Sequence, residues 1–319
     1  MRMFSMTAAE HRDAFEREGW LHVPGGLDPA FLAYLRDEVA RKQAEERIEG
    51  KGIQGEKDQF LLELPEGTHW DELFDLISEL CGLDRDGMTL SERHVKAYLG
   101  DADPRPTAHK DRFASQISVG LSVEVPEGSY LVLYPDDERE PNPYLSGAHR
   151  DSLDPDQRPE VTMPDAREVE VYDQPGDVIV FHGAATWHLR RNAANTVVVY
   201  LKLNEFECDP LGEDPTTEQR RAATLDLLEG GDAAVEAATA QLSRRFESIS
   251  RDYRREGWPE LVHANVWDQH PFPISELEVR LLQRLDRRAK VGDLVEAEGP
   301  EALPAVLRLA RRGAVDLLA

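Results

Sequence analysis

The stretch AHKDRFASQ, residues 108–116, sets a histidine and an aspartate two positions apart, just ahead of an alternating apolar run. Side chains alternate along an extended segment, so His109 and Asp111 project to one side. An imidazole and a carboxylate on one face suit a borderline divalent metal. One more histidine completes a facial triad and leaves positions open for substrate and oxygen. Taken alone, the H-x-D pair reads equally as a surface ion pair or a turn. The third candidate is His188. QPGDVIVFHGAATWHLRRN reads as a turn at Pro175-Gly176-Asp177, a strand through Phe181, then His188 seven residues on. The 77 residues from Asp111 to His188 leave room for the strands of a rolled-up barrel to return to the first pair. His182 competes for that place; following the apolar strand directly, it reads as support for a ligand or as a core histidine.

The elements that must hold these residues are β-strands. ISVGLSV alternates Ile117, Val119, Leu121 and Val123 against small residues, the pattern of a half-buried strand. SYLVLY, EVEVY, DVIVF and TVVVYLKL are further strand candidates bounded by Pro, Gly, Asp and Asn, a succession that suggests a sandwich or barrel. PYLSGAHRDSLDPDQRPEVTMPD between them reads as a long polar loop. Ahead of this β region, helices are predicted up to about Glu18, after Asp28-Pro29, and over HWDELFDLISELC with a stop at Gly82. The β core with its N-terminal helices is assigned to residues 1–208. A helical extension follows over 209–271, with AAVEAATAQLSRRFESISRDYRREG among its clearest helices. Residues 272–319 read as helix, short turn (KVGDLVEAEG), helix and a terminal apolar tail, resembling a small winged-helix module.

The chain has 319 residues, of which 40% are hydrophobic, and a formal net charge of −25. The acidic balance disfavours nucleic acid and anionic lipid as partners. Residues 272–319 carry eight Lys/Arg against eight Asp/Glu, so the last module lacks the basic character of a DNA reader, and a homodimer through its helices is the expected role. No apolar run is long enough to span a membrane, and no apolar segment marks a signal peptide at the N-terminus, so a cytoplasmic protein with two free thiols, Cys81 and Cys208, is expected.

FEREGWLHVPGGLDPAFLAYLRDEV, AHKD, SGAHRDSL and PGDVIVFHGAATWHLRRN together resemble, in order and spacing, the phytanoyl-CoA-hydroxylase-like branch of the iron(II)/2-oxoglutarate-dependent dioxygenases over roughly residues 12–206. That resemblance implies a double-stranded β-helix of the jelly-roll or cupin kind. It also implies Fe(II) on His109, Asp111 and His188, 2-oxoglutarate and O2 as co-substrates, and hydroxylation of a small-molecule metabolite with release of succinate and CO2. Because Asp111 is present, no position is left for a halide and hydroxylation is expected over halogenation; desaturation and epoxidation stay open. HKDRFASQISVG also resembles JmjC-type cupin hydroxylases, some of which end in a winged helix and act on protein side chains. A non-enzymatic cupin-type binding or regulatory protein is the third reading. A metal hydrolase has neither H-E-x-x-H nor G-x-S-x-G to support it.

One departure from the resemblance concerns the cation that anchors the far carboxylate of 2-oxoglutarate. Phytanoyl-like enzymes carry an arginine about eleven residues after the distal histidine, where this chain has Val199, and the JmjC-type basic position is Glu124. Lys202, in TVVVYLKLN, is the expected substitute, although on a regular strand it faces opposite to Val199. Lys96 is the reserve, and Gln116 joins them as a cofactor-binding candidate. Arg112, Arg190 and Trp187 are candidate substrate contacts, with Arg150 and Arg191 as further cations near the motifs.

Overall fold

The computed structural model describes residues 1–49, 53–54, 57–65, 67–135, 140–144, 146–252, 260–285 and 288–319. The chain divides into two units, Met1–Phe206 and Glu207–Ala319.

The first unit begins with α1 (Arg12–Glu18), β1 (Trp20–Val23), α2 (Pro29–Glu49), β2 (Ile53–Gln54), β3 (Lys57–Leu61) and α3 (Thr68–Cys81). Helix α3 buries one stripe, Leu73, Leu76, Ile77 and Leu80, and ends where Gly82 takes the left-handed conformation and donates its N–H to Ser78. The chain continues through β4 (Thr89–Tyr98), β5 (Ile117–Glu124), β6 (Tyr130–Tyr134), α4 (Ser146–Ser152), α5 (Pro159–Thr162), β7 (Val169–Val171), β8 (Val178–Phe181), β9 (Trp187–Arg191) and β10 (Val197–Asn204). The stretch expected as a polar loop thus contains α4 and α5.

Two antiparallel sheets result. One runs β1-β8-β5-β10-β4-β3-β2 and the other β7-β6-β9. Strand β10 shows how the larger sheet is built. Val197, Val199, Leu201 and Leu203 enter a core with Phe31, Leu35, Leu73 and Ile77 of the helices. Val198, Tyr200, Lys202 and Asn204 therefore face the other way. Register puts Lys96, His94 and Glu92 of β4 opposite Val198, Tyr200 and Lys202, and Ser122, Gly120 and Ser118 of β5 on their other side. All of these share the inner face, where Ile179 and Phe181 cluster with Leu131 and Leu133 of the smaller sheet. An insertion carrying α4 and α5 adds Leu153 and Met163 to a cluster with Val132, Tyr134, Trp187 and Leu189, the opposite face of the smaller sheet.

The second unit contains α6 (Thr217–Glu229), α7 (Asp232–Ala237), β11 (Thr239–Leu242), β12 (Phe246–Asp252), β13 (Leu261–Val266), β14 (Phe272–Pro273), α8 (Glu276–Arg284), β15 (Ala289–Lys290), α9 (Val291–Glu298), α10 (Ala302–Arg311) and β16 (Val315–Leu318). The helical extension expected over 209–271 is corrected here. The helix stops at Ala237, and the following TAQL and FESISRD are strands; residues 253–257 of the expected helix lie outside the described residues. Sheet pairing overrides the helix propensity of the Ala-rich run, because β11 lies between β15 and β16. The module expected at 272–319 therefore takes its central strand from Thr239–Leu242, and no boundary falls at 272. Its expected turn, KVGDLVEAEG, is mostly α9, whose Val291 and Leu294 are buried. No described helix is long and apolar enough to cross a membrane.

Candidate metal centre

His109 and His188 are clamped together by their own backbones. His109 N–H donates to His188 O at 3.0 Å and His188 N–H to His109 O at 2.9 Å, an isolated antiparallel bridge on the edge of β9. Their rings lie 4.4 Å apart between centroids. Asp111 N–H donates to Gly183 O at 3.0 Å, which ties the aspartate to the loop between β8 and β9. These ties bring one ligand atom from each of His109, Asp111 and His188 within 4.8 Å of one another. His109 Nε2 is 3.9 Å from Asp111 Oδ1, and His188 Nε2 is 3.7 Å from Asp111 Oδ2.

The donor set fits a metal. His188 Nδ1 lies 2.9 Å from the carbonyl oxygen of Thr186, which only accepts, so Nδ1 carries the proton and Nε2 turns its lone pair toward Asp111. Burial lowers the His188 pKa and keeps the ring neutral. The side chain of His109 keeps 44% of its surface accessible, yet its crowded surroundings, then the neighbouring His188, push its pKa down to about 3. Burial alone would raise the Asp111 carboxyl; the Lys202 ammonium, with His188 and His109, instead holds it well below the usual range. Two neutral imidazoles and one carboxylate, with His109 open on one side, fit the two-histidine, one-carboxylate donor set that suits non-haem iron.

Asp111 is held from both ends. Lys202 Nζ donates to Oδ1 at 2.5 Å, and Ser118 Oγ donates to Oδ2 at 2.8 Å. Gly183 makes room for this pair: a Cβ there would overlap Ser118 Oγ and come within 2.8 Å of Asp111 Oδ2. Below Lys202 sits a second buried carboxylate, Glu92. It lies 3.6 Å from Lys202, 3.4 Å from Lys96 and 3.3 Å from Arg112. A cavity of about 270 Å³ opens beside His109, lined also by Lys57, Tyr98, Thr107 and Arg190.

The ammonium of Lys202, expected to meet a ligand carboxylate, meets Asp111. A register shift follows it directly in the β4 pairing, between Lys202 and Leu203. Lys96 lies deeper along the same inner face, over the Tyr200 ring. Gln116 exchanges hydrogen bonds with Glu205 and lines a different pocket, of about 480 Å³, together with Phe113, His182 and Phe206. His182 packs on Phe15, 5.1 Å between centroids, and is not among the clustered ligands. Arg112 reaches inward to Glu92. Arg190 is on the inner face but is bonded through both terminal nitrogens to Asp173, at 3.0 and 2.9 Å. Trp187 is turned away: alternation along β9 sends its ring to the outer cluster, stacked 5.5 Å from His149 and under Lys110. Arg191 and Arg150 pair there with Glu168 and Glu160.

Sequence reasoning passed over Ser118, Gly183, Glu92 and Lys57. The small residues alternating with Ile117, Val119 and Leu121 were a visible sign that something larger fills the opposite face of β5.

No family model and no curated protein matches the sequence. Solved structures do resemble it. The alpha ketoglutarate dependent epimerase SnoN from nogalamycin biosynthesis is 19% identical over 62% of this chain and 83% of its own, with a TM-score of 0.46. EctD from S. alaskensis, with 2-oxoglutarate and 5-hydroxyectoine, is 13% identical over 65% and 83%, with a TM-score of 0.45. A Pseudomonas putida prolyl-4-hydroxylase is 17% identical over 62% and 99%, with a TM-score of 0.42. At these values the functional assignment rests on the residues of the site.

Proposed function

We propose that residues 1–206 form an Fe(II)- and 2-oxoglutarate-dependent oxygenase that hydroxylates a small molecule. The observation that carries this reading is the cluster of His109, Asp111 and His188, neutral at both imidazoles and open beside His109. The strand order supports it: β4-β10-β5-β8 in one antiparallel sheet and β9-β6-β7 in the other, with His109 bridged to the free edge of β9, suit the double-stranded β-helix that belongs to this reading. The sequence likeness to the phytanoyl-CoA-hydroxylase-like branch belongs to the same proposal, as does assembly through the second unit.

His109, Asp111 and His188 would hold the metal on one face and leave the other for ligands. Bound there, iron with 2-oxoglutarate and dioxygen supplies the oxidising power that attacks a substrate C–H bond, with succinate and CO2 as co-products. Thr186 fixes the tautomer of His188. Ser118 and Lys202 fix the orientation of Asp111, so that the carboxylate presents an oxygen without searching rotamers. Ile179, Phe181 and Leu133 wall the inner side and exclude water. The cations on the inner face favour an anionic co-substrate over a neutral one.

Anaerobic titration of the protein with Fe(II) and then 2-oxoglutarate tests the reading. A weak visible band that needs both, and succinate formation once oxygen and candidate metabolites are admitted, is the expected result. Metal binding with no spectral or calorimetric response to 2-oxoglutarate would overturn it.

A further inference from the structure

The inner face near the site holds more positive charge than it can pair. Two carboxylates, Asp111 and Glu92, face Lys202, Lys96, Arg112 and Lys57; Arg190 is already paired with Asp173. Lys202 lies 2.5 Å from Asp111, and Lys96 and Arg112 lie within 3.4 Å of Glu92. Lys57 is the remainder. It begins β3, directly opposite Tyr98 in the register. The β3 residues on either side of Gln59, Asp58 and Phe60, point into the helix-covered layer, so Lys57 and Gln59 share the inner face with Lys96 and Tyr98. Its ammonium lies 5.8 Å from the centre of the Tyr98 ring and, among the described residues, has no carboxylate in ion-pair range. It lines the same cavity of about 270 Å³ as His109. A half-buried cation with no counter-ion is disfavoured unless a ligand supplies one. Burial, with Lys96 and Lys202 close by, pushes the Lys57 pKa down to about 8, as expected of a cation that lacks an anion.

We propose that Lys57, beside Tyr98, seats the distal carboxylate of a 2-oxo dicarboxylic acid whose other end reaches the metal beside His109. The proposal rests on the reading of the centre as 2-oxoglutarate-dependent. Its new content is the location. The anchoring cation comes from β3, a strand added to the edge of the larger sheet, in place of a residue on β10. The geometry along β10 explains the shift. Val199 points into the helix-covered core, Val198 is apolar, and the Lys202 ammonium is so close to Asp111 that it sits at the metal end of the site. An acid that chelates the metal and extends into the cavity carries its far carboxylate away from Lys202 and toward Tyr98, Lys96 and Lys57. Lys96 already faces Glu92. Lys57 faces the Tyr98 ring and the cavity, at whose exposed rim Asp103 stands outside ion-pair range of it.

The test is calorimetric titration of Mn(II)-loaded protein, without oxygen, with 2-oxoglutarate and with 2-oxobutyrate, which keeps the chelating end and lacks the distal carboxylate. Lys57→Ala is expected to bind 2-oxoglutarate about ten- to a hundredfold more weakly than wild type, with its affinity for 2-oxobutyrate unchanged. Lys57→Arg is expected to recover part of the loss. The melting temperature of the Lys57→Ala protein is expected to hold or rise, since the change removes an uncompensated cation, and that separates a binding loss from misfolding. Wild-type affinity of Lys57→Ala for 2-oxoglutarate, or an equal loss for both acids, overturns the proposal and leaves the oxygenase reading standing. Failure of wild-type, Mn(II)-loaded protein to bind either acid overturns that reading and this proposal with it.

Discussion

The Lys202 ammonium and the Asp111 carboxylate form a buried ion pair at 2.5 Å, each side chain about 5% exposed. A metal bound by His109, Asp111 and His188 would share the Asp111 carboxylate with this ammonium; without metal, the ammonium alone balances it. Removing one partner of a buried pair leaves an uncompensated charge and typically destabilises by about 3–5 kcal/mol. Metal-free Lys202→Met should therefore melt well below wild type, and Mn(II) should restore much of the difference, because the cation takes over the missing charge. Thermal melts with and without Mn(II) check this. A deficit that persists at saturating metal would mean that Lys202 acts by packing and not by charge.

Gly183 controls the room beside Asp111. Adding one methyl forces Ser118 Oγ and the carboxylate to move, and overpacking of this kind costs about 1–3 kcal/mol. Gly183→Ala should keep its circular dichroism spectrum and lose at least about tenfold in Mn(II) affinity by calorimetry, within the 10- to 100-fold range typical of groups that orient a ligand. Undiminished affinity would show that the loop yields without disturbing Asp111.

The two histidines that follow β8 should separate cleanly. His188→Ala removes a ligand and is expected to abolish measurable Mn(II) binding. His182→Ala loses a ring contact with Phe15 and is expected to bind metal as wild type does. Manganese electron paramagnetic resonance on the two variants reads the difference directly; the reverse result would reassign the third ligand.

Arg190 faces the cavity but is bonded twice to Asp173, which also accepts from Ser122. Its role is to fasten β9 to the segment after β7. Arg190→Met should destabilise the fold by about 3–5 kcal/mol, read as a lower urea midpoint, with the ratio of 2-oxoglutarate to 2-oxobutyrate affinity unchanged. A change in that ratio would make Arg190 a ligand contact.

The pH dependence of binding follows from Lys57. The charged groups around it are Lys96, Lys202, Glu92 and Asp111, with Asp103, His109, Arg190 and the Tyr98 phenol lining the same cavity, and burial pushes its pKa in the free protein down to about 8. A bound carboxylate favours the charged ammonium and raises that pKa. The liganded protein then holds the proton more tightly than the free protein, so affinity for 2-oxoglutarate should be flat below about pH 8. Above it, affinity should fall by up to about tenfold per unit until the liganded pKa is reached. In Lys57→Ala that decline should vanish between pH 8 and 10 while metal binding is followed in parallel. A wild-type decline that persists in the variant assigns it to another group.

Residue types and spacing singled out the three residues that the fold brings together, with His182 as the rival for the third place. His109 and Asp111 are two apart on an extended segment, and His188 sits just past a strand at a distance that a returning barrel requires. Alternation in β5 and β10 likewise marked which side chains enter the apolar layer and which face inward. The partner each inward side chain meets was decided by tertiary register. Lys202 lies opposite Ser118 because of how β10 pairs with β5, and both converge on Asp111 only because the backbone at Gly183 comes close. Lys57 became a site residue only because β3, short and with little alternation to announce it, adds to the sheet edge next to Tyr98. In the second unit, helix propensity holds only as far as Ala237; Ala238 and Ala240, as helix-prone by type, leave the helix, and the chain turns to strand at Thr239 because β15 and β16 leave a place between them. Types and periods are local properties of a sequence. Charge compensation and strand pairing depend on groups 90 or more residues apart, as with Asp111 and Lys202, and are settled only when the fold closes.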